Sequence, residues 1–274
     1  MNRTFSILGD QVVIETDQPD WLERLNDIAV QAHDPRPRNR TITLRLAKSD
    51  GFVHIVHEGQ IIAQETDLEA AIRMLHLLIN KLVLEPQTEV LKIHAAAGTW
   101  QGRFFLVTGD RGAGKTTLLL KMMLDGAEMH CDETVLLRDG RIQTFPRKFY
   151  IKTGTLPCLP RVAAICATKR AYPGFYGGRF YFADPTDFGL PWRSRTERPW
   201  AVFHLTPAFE QAPLLQPCAK VEMAKQLMLQ TVNLAGDLGR HVAQVCRLLE
   251  TCRCYSLRVG GLDATAALLQ KTLA

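Results

Sequence analysis

The run Gly109-Asp110-Arg111-Gly112-Ala113-Gly114-Lys115-Thr116 has the form G-x-x-x-x-G-K-T, and it constrains this chain more than any other stretch. Backbone amides that curl around a phosphate need positions free of a Cβ, which Gly109, Gly112 and Gly114 supply, with Asp110, Arg111 and Ala113 filling the turn between them. Lys115 is placed to reach the β and γ phosphates and the Thr116 hydroxyl to hold magnesium. Thr117 then continues into a helix whose positive end faces the anion. The apolar lead-in Phe104-Phe105-Leu106-Val107 and the lead-out Leu118-Leu119-Leu120 supply the strand, loop and helix succession that such a loop requires. Residues 109–117 are therefore predicted to bind ATP with Mg2+.

The rest of the chain is compatible with that expectation. Its 274 residues allow one large domain, or a nucleotide-binding domain with a smaller partner. At 46% hydrophobic and 22% charged residues it is not a disordered sequence. The net charge of +5 suits phosphorylated ligands, but the basic residues are scattered, so no nucleic-acid partner is expected. No apolar run is long enough for a bilayer and Met1 to Asp10 lacks the pattern of a signal peptide, so we expect a cytoplasmic protein without a membrane partner. The seven cysteines lack paired metal-ribbon spacing and are expected to be reduced. The group His241, Cys246, Cys252 and Cys254 reads as core packing, Cys246 through the face of an amphipathic helix.

Local patterns divide the chain near residue 88. Before it, a strand over 5–16 that carries a turn at Gly9-Asp10, a helix over 19–31, a loop over 33–40, a strand over 41–47 and two strands around Glu58-Gly59 precede a helix capped by Asp67. Leu68, Ile72, Leu75, Ile79 and Leu82 give that helix one apolar face, and Pro86 ends it. Beyond it, strands over 91–95 and 104–108 are expected to be joined by a turn at 98–102. A helix over 116–124 comes next, followed by a hairpin at Asp139-Gly140. Residues 156–198 show only broken strand patterns and read as a long irregular segment, of which Tyr172 to Tyr181 would cover an acceptor site. A strand over 200–205, helices over 218–232 and 238–251, a strand over 254–259 and a helix over 262–273 complete the chain.

Phosphoryl transfer also calls for a carboxylate near the metal, and transfer to a hydroxyl can use one to accept its proton. Asp132-Glu133 is the candidate, expected on the strand beside the glycine loop. The succession T-G-D-R-G-A-G-K-T-T-L, M-H-C-D-E-T-V-L-L and F-P-R-K-F-Y-I-K-T-G resembles the catalytic domain of the HPr serine kinase family and its relatives, over roughly Ile93 to the end of the chain. The resemblance implies an α/β chain, α+β overall, with a P-loop kinase-like core of the HPr kinase and phosphoenolpyruvate carboxykinase type over 89–274. A small N-terminal α+β domain would occupy 1–88.

By the same resemblance one of Asp132 and Glu133 is the general base and the other joins Thr116 on magnesium, without fixing which does which. His94 would hydrogen-bond the acidic pair. Arg147 and Lys152 would neutralise charge on the transferred group, and Arg161, Arg179, Arg193, Arg195 and Arg198 are weaker candidates for substrate contact. The segment with which HPr kinases contact HPr is missing, so the implied reaction is ATP-dependent phosphorylation of a hydroxyl on a peptide or small molecule, by a chain that can form a homo-oligomer. Glu133 stands where the family commonly has aspartate, moving its carboxylate by about one methylene. That departure supports an alternative, a nucleotide-dependent binding or regulatory module with little or no transfer.

Overall fold

The computed structural model describes residues 1–32, 39–232 and 237–274, and shows a mixed α/β chain in two compact units. The first comprises Met1–Gln87, Pro146–Leu156 and Arg161–Leu190. The second comprises Thr88–Phe145, Pro157–Pro160 and Pro191–Ala274.

In the first unit, β1 (Asn2–Ile7) and β2 (Asp10–Thr16) form a hairpin turning at Leu8-Gly9, where both residues have positive φ. Helix α1 (Trp21–Asn26) is shorter than the expected 19–31. Its apolar followers Ile28, Ala29 and Val30 are contiguous, not helically spaced, and all three are buried without continuing the helix. Of the expected loop over 33–40, residues 33–38 lie outside the described residues. Then β3 (Thr41–Ser49), β4 (Phe52–His57) and β5 (Gln60–Glu65) complete a sheet ordered β1-β2-β3-β4-β5, antiparallel except for the β2–β3 pair. Asp67 caps α2 (Leu68–Leu84) by accepting from the Ala70 amide at 2.8 Å, a bond worth about 1 kcal/mol. Ile72, Leu75, Ile79 and Val83 give that helix its buried face.

The second unit opens with β6 (Leu91–Ile93), β7 (Ala95–Trp100), β8 (Arg103–Gly109), α3 (Lys115–Leu124), β9 (Glu128–Cys131), β10 (Val135–Arg138) and β11 (Arg141–Thr144). The turn expected at 98–102 is tighter than that: Gln101-Gly102 closes the β7–β8 hairpin. Gly98 lies within β7, where a Cβ would come within 3.0 Å of the Phe105 ring.

Residues 156–198, expected to be irregular, are largely structured. After β12 (Phe149–Lys152) come α4 (Pro160–Ala167), β13 (Ala171–Pro173), β14 (Arg179–Ala183) and, in the second unit, β15 (Thr196–Glu197). A three-stranded sheet β12-β14-β13 is held by an aromatic cluster in which Tyr150 and Phe180 have ring centroids 4.4 Å apart and Tyr172 and Phe182 4.9 Å apart. The strands are only three to five residues long, too short for alternation to register in the sequence. The expected cover over 172–181 is thus two strands with buried Tyr172 and Phe180, joined by a turn exposing Phe175 and Tyr176.

The chain ends with β16 (Ala201–Pro207), β17 (Leu214–Pro217), α5 (Lys220–Leu229), β18 (Thr231–Val232), α6 (Leu238–Leu249), β19 (Arg253–Val259) and α7 (Leu262–Leu273). The helix expected to reach 232 stops at Leu229, because Thr231 and Val232 pair with Ile93 and Lys92. A six-stranded sheet β17-β19-β16-β8-β7-β9 has β19, β16 and β8 parallel at its centre. A second sheet runs β15-β11-β10-β6-β18. Leu106, Val202, Ile93, Val135, Leu137, Leu227 and Leu248 form the core among the two sheets, α5 and α6.

All seven cysteines are free. Cys252 and Cys254 are buried, but Cys246, expected in the core, is exposed with Leu238 and Val242 on the outer side of α6. Among the described residues no helix is long and apolar enough to cross a membrane.

Candidate functional site

The glycine loop leaves the C-terminal end of β8, whose parallel neighbour β16 runs alongside it with Leu205 opposite Gly109. A Cβ on Gly109 would fall 2.8 Å from the Leu205 carbonyl oxygen, and its φ is +146°, so only glycine lets the two strands stay this close before the chain turns. Gly112 and Gly114 also have positive φ, and the Ala113 amide donates to Asp110 O at 3.1 Å to close the turn. Gly114 is the N-cap of α3 and offers no side chain to the amides of the first turn, which point their positive end toward the loop.

Lys115 is buried at the start of α3 and its Nζ turns back into the loop, donating to Gly109 O at 2.6 Å and Asp110 O at 3.1 Å. One residue on, Thr116 Oγ1 donates to Asp132 Oδ1 at 2.8 Å. Asp132 is buried and Glu133 half-buried, directly after β9. Strand β9 is not beside β8 as expected: β7 intervenes, and the other flank of β8 is taken by β16. The two-residue turn between β7 and β8 assigns that place to the hairpin partner first. Helix α3 packs on β7, β8 and β9 together, which is how its first turn still meets a residue at the end of β9.

The end of β9 is held in place by buried polar contacts. His130 Nε2 lies 2.9 Å from Thr99 Oγ1 and its Nδ1 3.1 Å from Arg193 O. A carbonyl can only accept, so Nδ1 carries the proton and Nε2 receives the Thr99 hydroxyl. Burial lowers the His130 pKa to about 4, keeping the ring neutral, and Trp192 Nε1 donates to His130 O at 3.0 Å. The neighbouring Cys131 thiol is pushed up to about 12 by burial. These contacts determine where Asp132 emerges.

Two residues at the loop were not singled out in the sequence. His204 on β16 pairs with Thr108 on β8, and burial lowers its pKa against the opposing charge of Asp110. Gln230 donates from Nε2 to Asp110 Oδ1 at 3.0 Å, while its carbonyl accepts the His94 amide at 2.8 Å. A histidine in the otherwise apolar run Ala201-Val202-Phe203-His204-Leu205 was the available signal. Gln230 lies just past a helix end and had none.

His94 sits between β6 and β7, half-buried, in the same unit as the loop. Asp110 and Arg111 are exposed on the loop, Ala113 is buried, and Thr117 is half-buried on α3. Arg147 and Lys152 belong instead to the first unit: Arg147 is buried with its guanidinium 4.7 Å from the Tyr150 ring centroid, and Lys152 is exposed at the end of β12. Arg195 bridges Glu128 and Glu197 at 3.1 and 3.2 Å, and Arg179 donates to Ala171 O. Among the described residues no three His, Cys, Asp or Glu side chains gather as a metal cluster; Thr116 and Asp132, with Glu133 adjacent, are hard oxygen donors of the kind that could hold magnesium.

No protein-family model matches the sequence, and no curated protein does. Among solved structures, the HPr(Ser) kinase/phosphatase from Coxiella burnetii is similar at 13% identity and a TM-score of 0.33, over 66% of this chain and 91% of that one. At that level of overlap the likeness carries no functional weight, and the chemistry rests on this chain's own geometry.

Proposed function

We propose that residues 109–117 are the P-loop of an ATP-dependent kinase that phosphorylates a hydroxyl of a peptide or small-molecule acceptor. The observation that carries this reading is the hydrogen bond from Thr116 to Asp132, next to a lysine already folded into a glycine loop. It joins the residue after the motif's lysine to a buried carboxylate, the pair of oxygen donors that a magnesium nucleotide needs. Thr116 and a carboxylate of the acidic pair would hold the magnesium ion, which would supply positive charge to offset that of the phosphates. The loop amides and the first turn of α3 hold the phosphates, and Lys115 exchanges its two carbonyl acceptors for phosphate oxygens.

Transfer then follows from the acidic pair. One of Asp132 and Glu133 accepts the acceptor's O–H proton, the acceptor oxygen bonds the γ-phosphorus, and the β–γ bridging P–O bond breaks with its electron pair leaving on ADP. His94 would support the acidic pair.

The test is transfer of label from γ-labelled ATP to panels of peptides, free serine and polyols, with Lys115→Ala as the blank. Labelled product that disappears in the variant supports the kinase. Tight ATP binding without product from any panel favours the second reading, a nucleotide-sensing module, to which the longer Glu133 side chain in the acidic pair already points.

A further inference from the structure

Phe209 is 57% exposed, on the loop that follows β16. A lone exposed apolar ring needs no special cause, but the place of this one is unusual. The loop lies at the C-terminal ends of the parallel strands β8, β16 and β19, where open α/β sheets bind their ligands. A Cβ on Gly114 would lie 3.7 Å from Phe209 Cε1 and 4.0 Å from Cζ, so the ring turns an edge toward the residue that opens α3.

The loop is also held in position. The Ala208 amide donates to Val259 O at 2.9 Å and the Gln211 amide to Ala208 O at 2.9 Å. A Cβ on Gly260 would sit 2.2 Å from Gln211 O, so a glycine is what allows the end of β19 to approach this turn. The position of the ring is therefore set by backbone contacts that owe nothing to the ring itself.

We infer that Phe209 is the stacking platform for the base of the bound nucleotide, which makes the ligand a nucleoside triphosphate and not a bare polyphosphate. The inference rests on the phosphate-loop reading above and extends it. Every base presents a π face, so one ring supplies affinity without choosing between bases, and adenine and guanine nucleotides should bind comparably.

Calorimetric titration of the full chain with MgATP, MgGTP and magnesium tripolyphosphate tests this in wild type, Phe209→Ala, Phe209→Tyr and Lys115→Ala. The alanine variant should bind ATP and GTP about tenfold more weakly, with tripolyphosphate affinity unchanged and the tyrosine variant close to wild type. Unchanged ATP affinity in Phe209→Ala, while Lys115→Ala loses ATP, overturns the platform and leaves the loop reading intact. Equal weakening of tripolyphosphate in Phe209→Ala overturns it too, because the ring would then be supporting the loop and not the base. Wild-type protein that binds none of the three ligands removes the loop reading and the platform with it.

Discussion

The hydroxyl of Thr116 donates to the carboxylate of Asp132, 16 positions further along the chain, at 2.8 Å, tying the first turn of α3 to the end of β9. Two segments separated by the rest of α3 and by β9 thus share one hydrogen bond beside the glycine loop.

Substitution at this pair should separate chemistry from binding. Asp132→Asn keeps a hydrogen-bond acceptor for Thr116 but cannot take a proton, so an Asp132 general base predicts transfer lowered by about 10²-fold or more with ATP affinity within a few-fold. Single-turnover transfer and nucleotide titration on Asp132→Asn and Glu133→Gln side by side identify the base as the variant that loses rate while retaining ATP. If both keep wild-type rates, neither carboxylate is the base.

Lys115 makes two hydrogen bonds to loop carbonyls, so its loss affects the free protein as well as the ligand. Lys115→Met should abolish measurable ATP binding and also lower stability by about 1–3 kcal/mol, because charge-assisted bonds are removed and Gly109 O is left in a buried setting. Calorimetry and urea denaturation report the two effects separately.

The glycines of the loop should differ in what alanine costs them. At Gly112 nothing lies within 4 Å of the place a Cβ would take, so Gly112→Ala meets only the penalty of positive φ, about 1–2 kcal/mol. Gly109→Ala adds the collision with Leu205 O and should be more destabilising by at least a further ~1 kcal/mol. Equal urea midpoints for the two variants would contradict the close β8–β16 approach.

Acid should weaken the fold through His130. Its folded pKa is about 4 against 6.5 for a free histidine, so below pH 6.5 the unfolded chain takes up a proton that the folded chain refuses. The contribution is therefore present above pH 6.5 and is lost as pH falls toward 4, by up to about 3 kcal/mol. His76 and His204 are shifted the same way by burial and add to the slope. Urea unfolding from pH 7 to 4 should be visibly less pH-dependent in His130→Gln than in wild type.

Much of the local structure was legible because it is decided by neighbours in sequence. The Asp139-Gly140 and Glu58-Gly59 turns are readable from residues that tolerate positive φ, and the α2 helix from its Asp67 cap and apolar period. Residues 156–198 were not legible, since β13 and β14 each offer too few residues for a period and are stabilised by ring contacts, among them that of Phe180 with Tyr150 of β12, 30 positions earlier. Cys246 was misplaced for a related reason: the apolar residues of α6 do not all face inward, and which side of a helix is covered depends on what packs against it.

At the site, the sequence alone determined the loop's backbone path, because Gly109, Gly112 and Gly114 permit a curve that residues with a Cβ resist, and it marked Lys115 and Thr116 at the head of the helix. Only the tertiary structure decided that β7 lies between β8 and β9, that Asp132 nevertheless meets Thr116, and that His204 and Phe209 stand beside the loop. Backbone conformation is governed by each residue's own sterics, whereas these neighbours are set by strand order and helix packing, in which residues far apart in the chain compete for the same place.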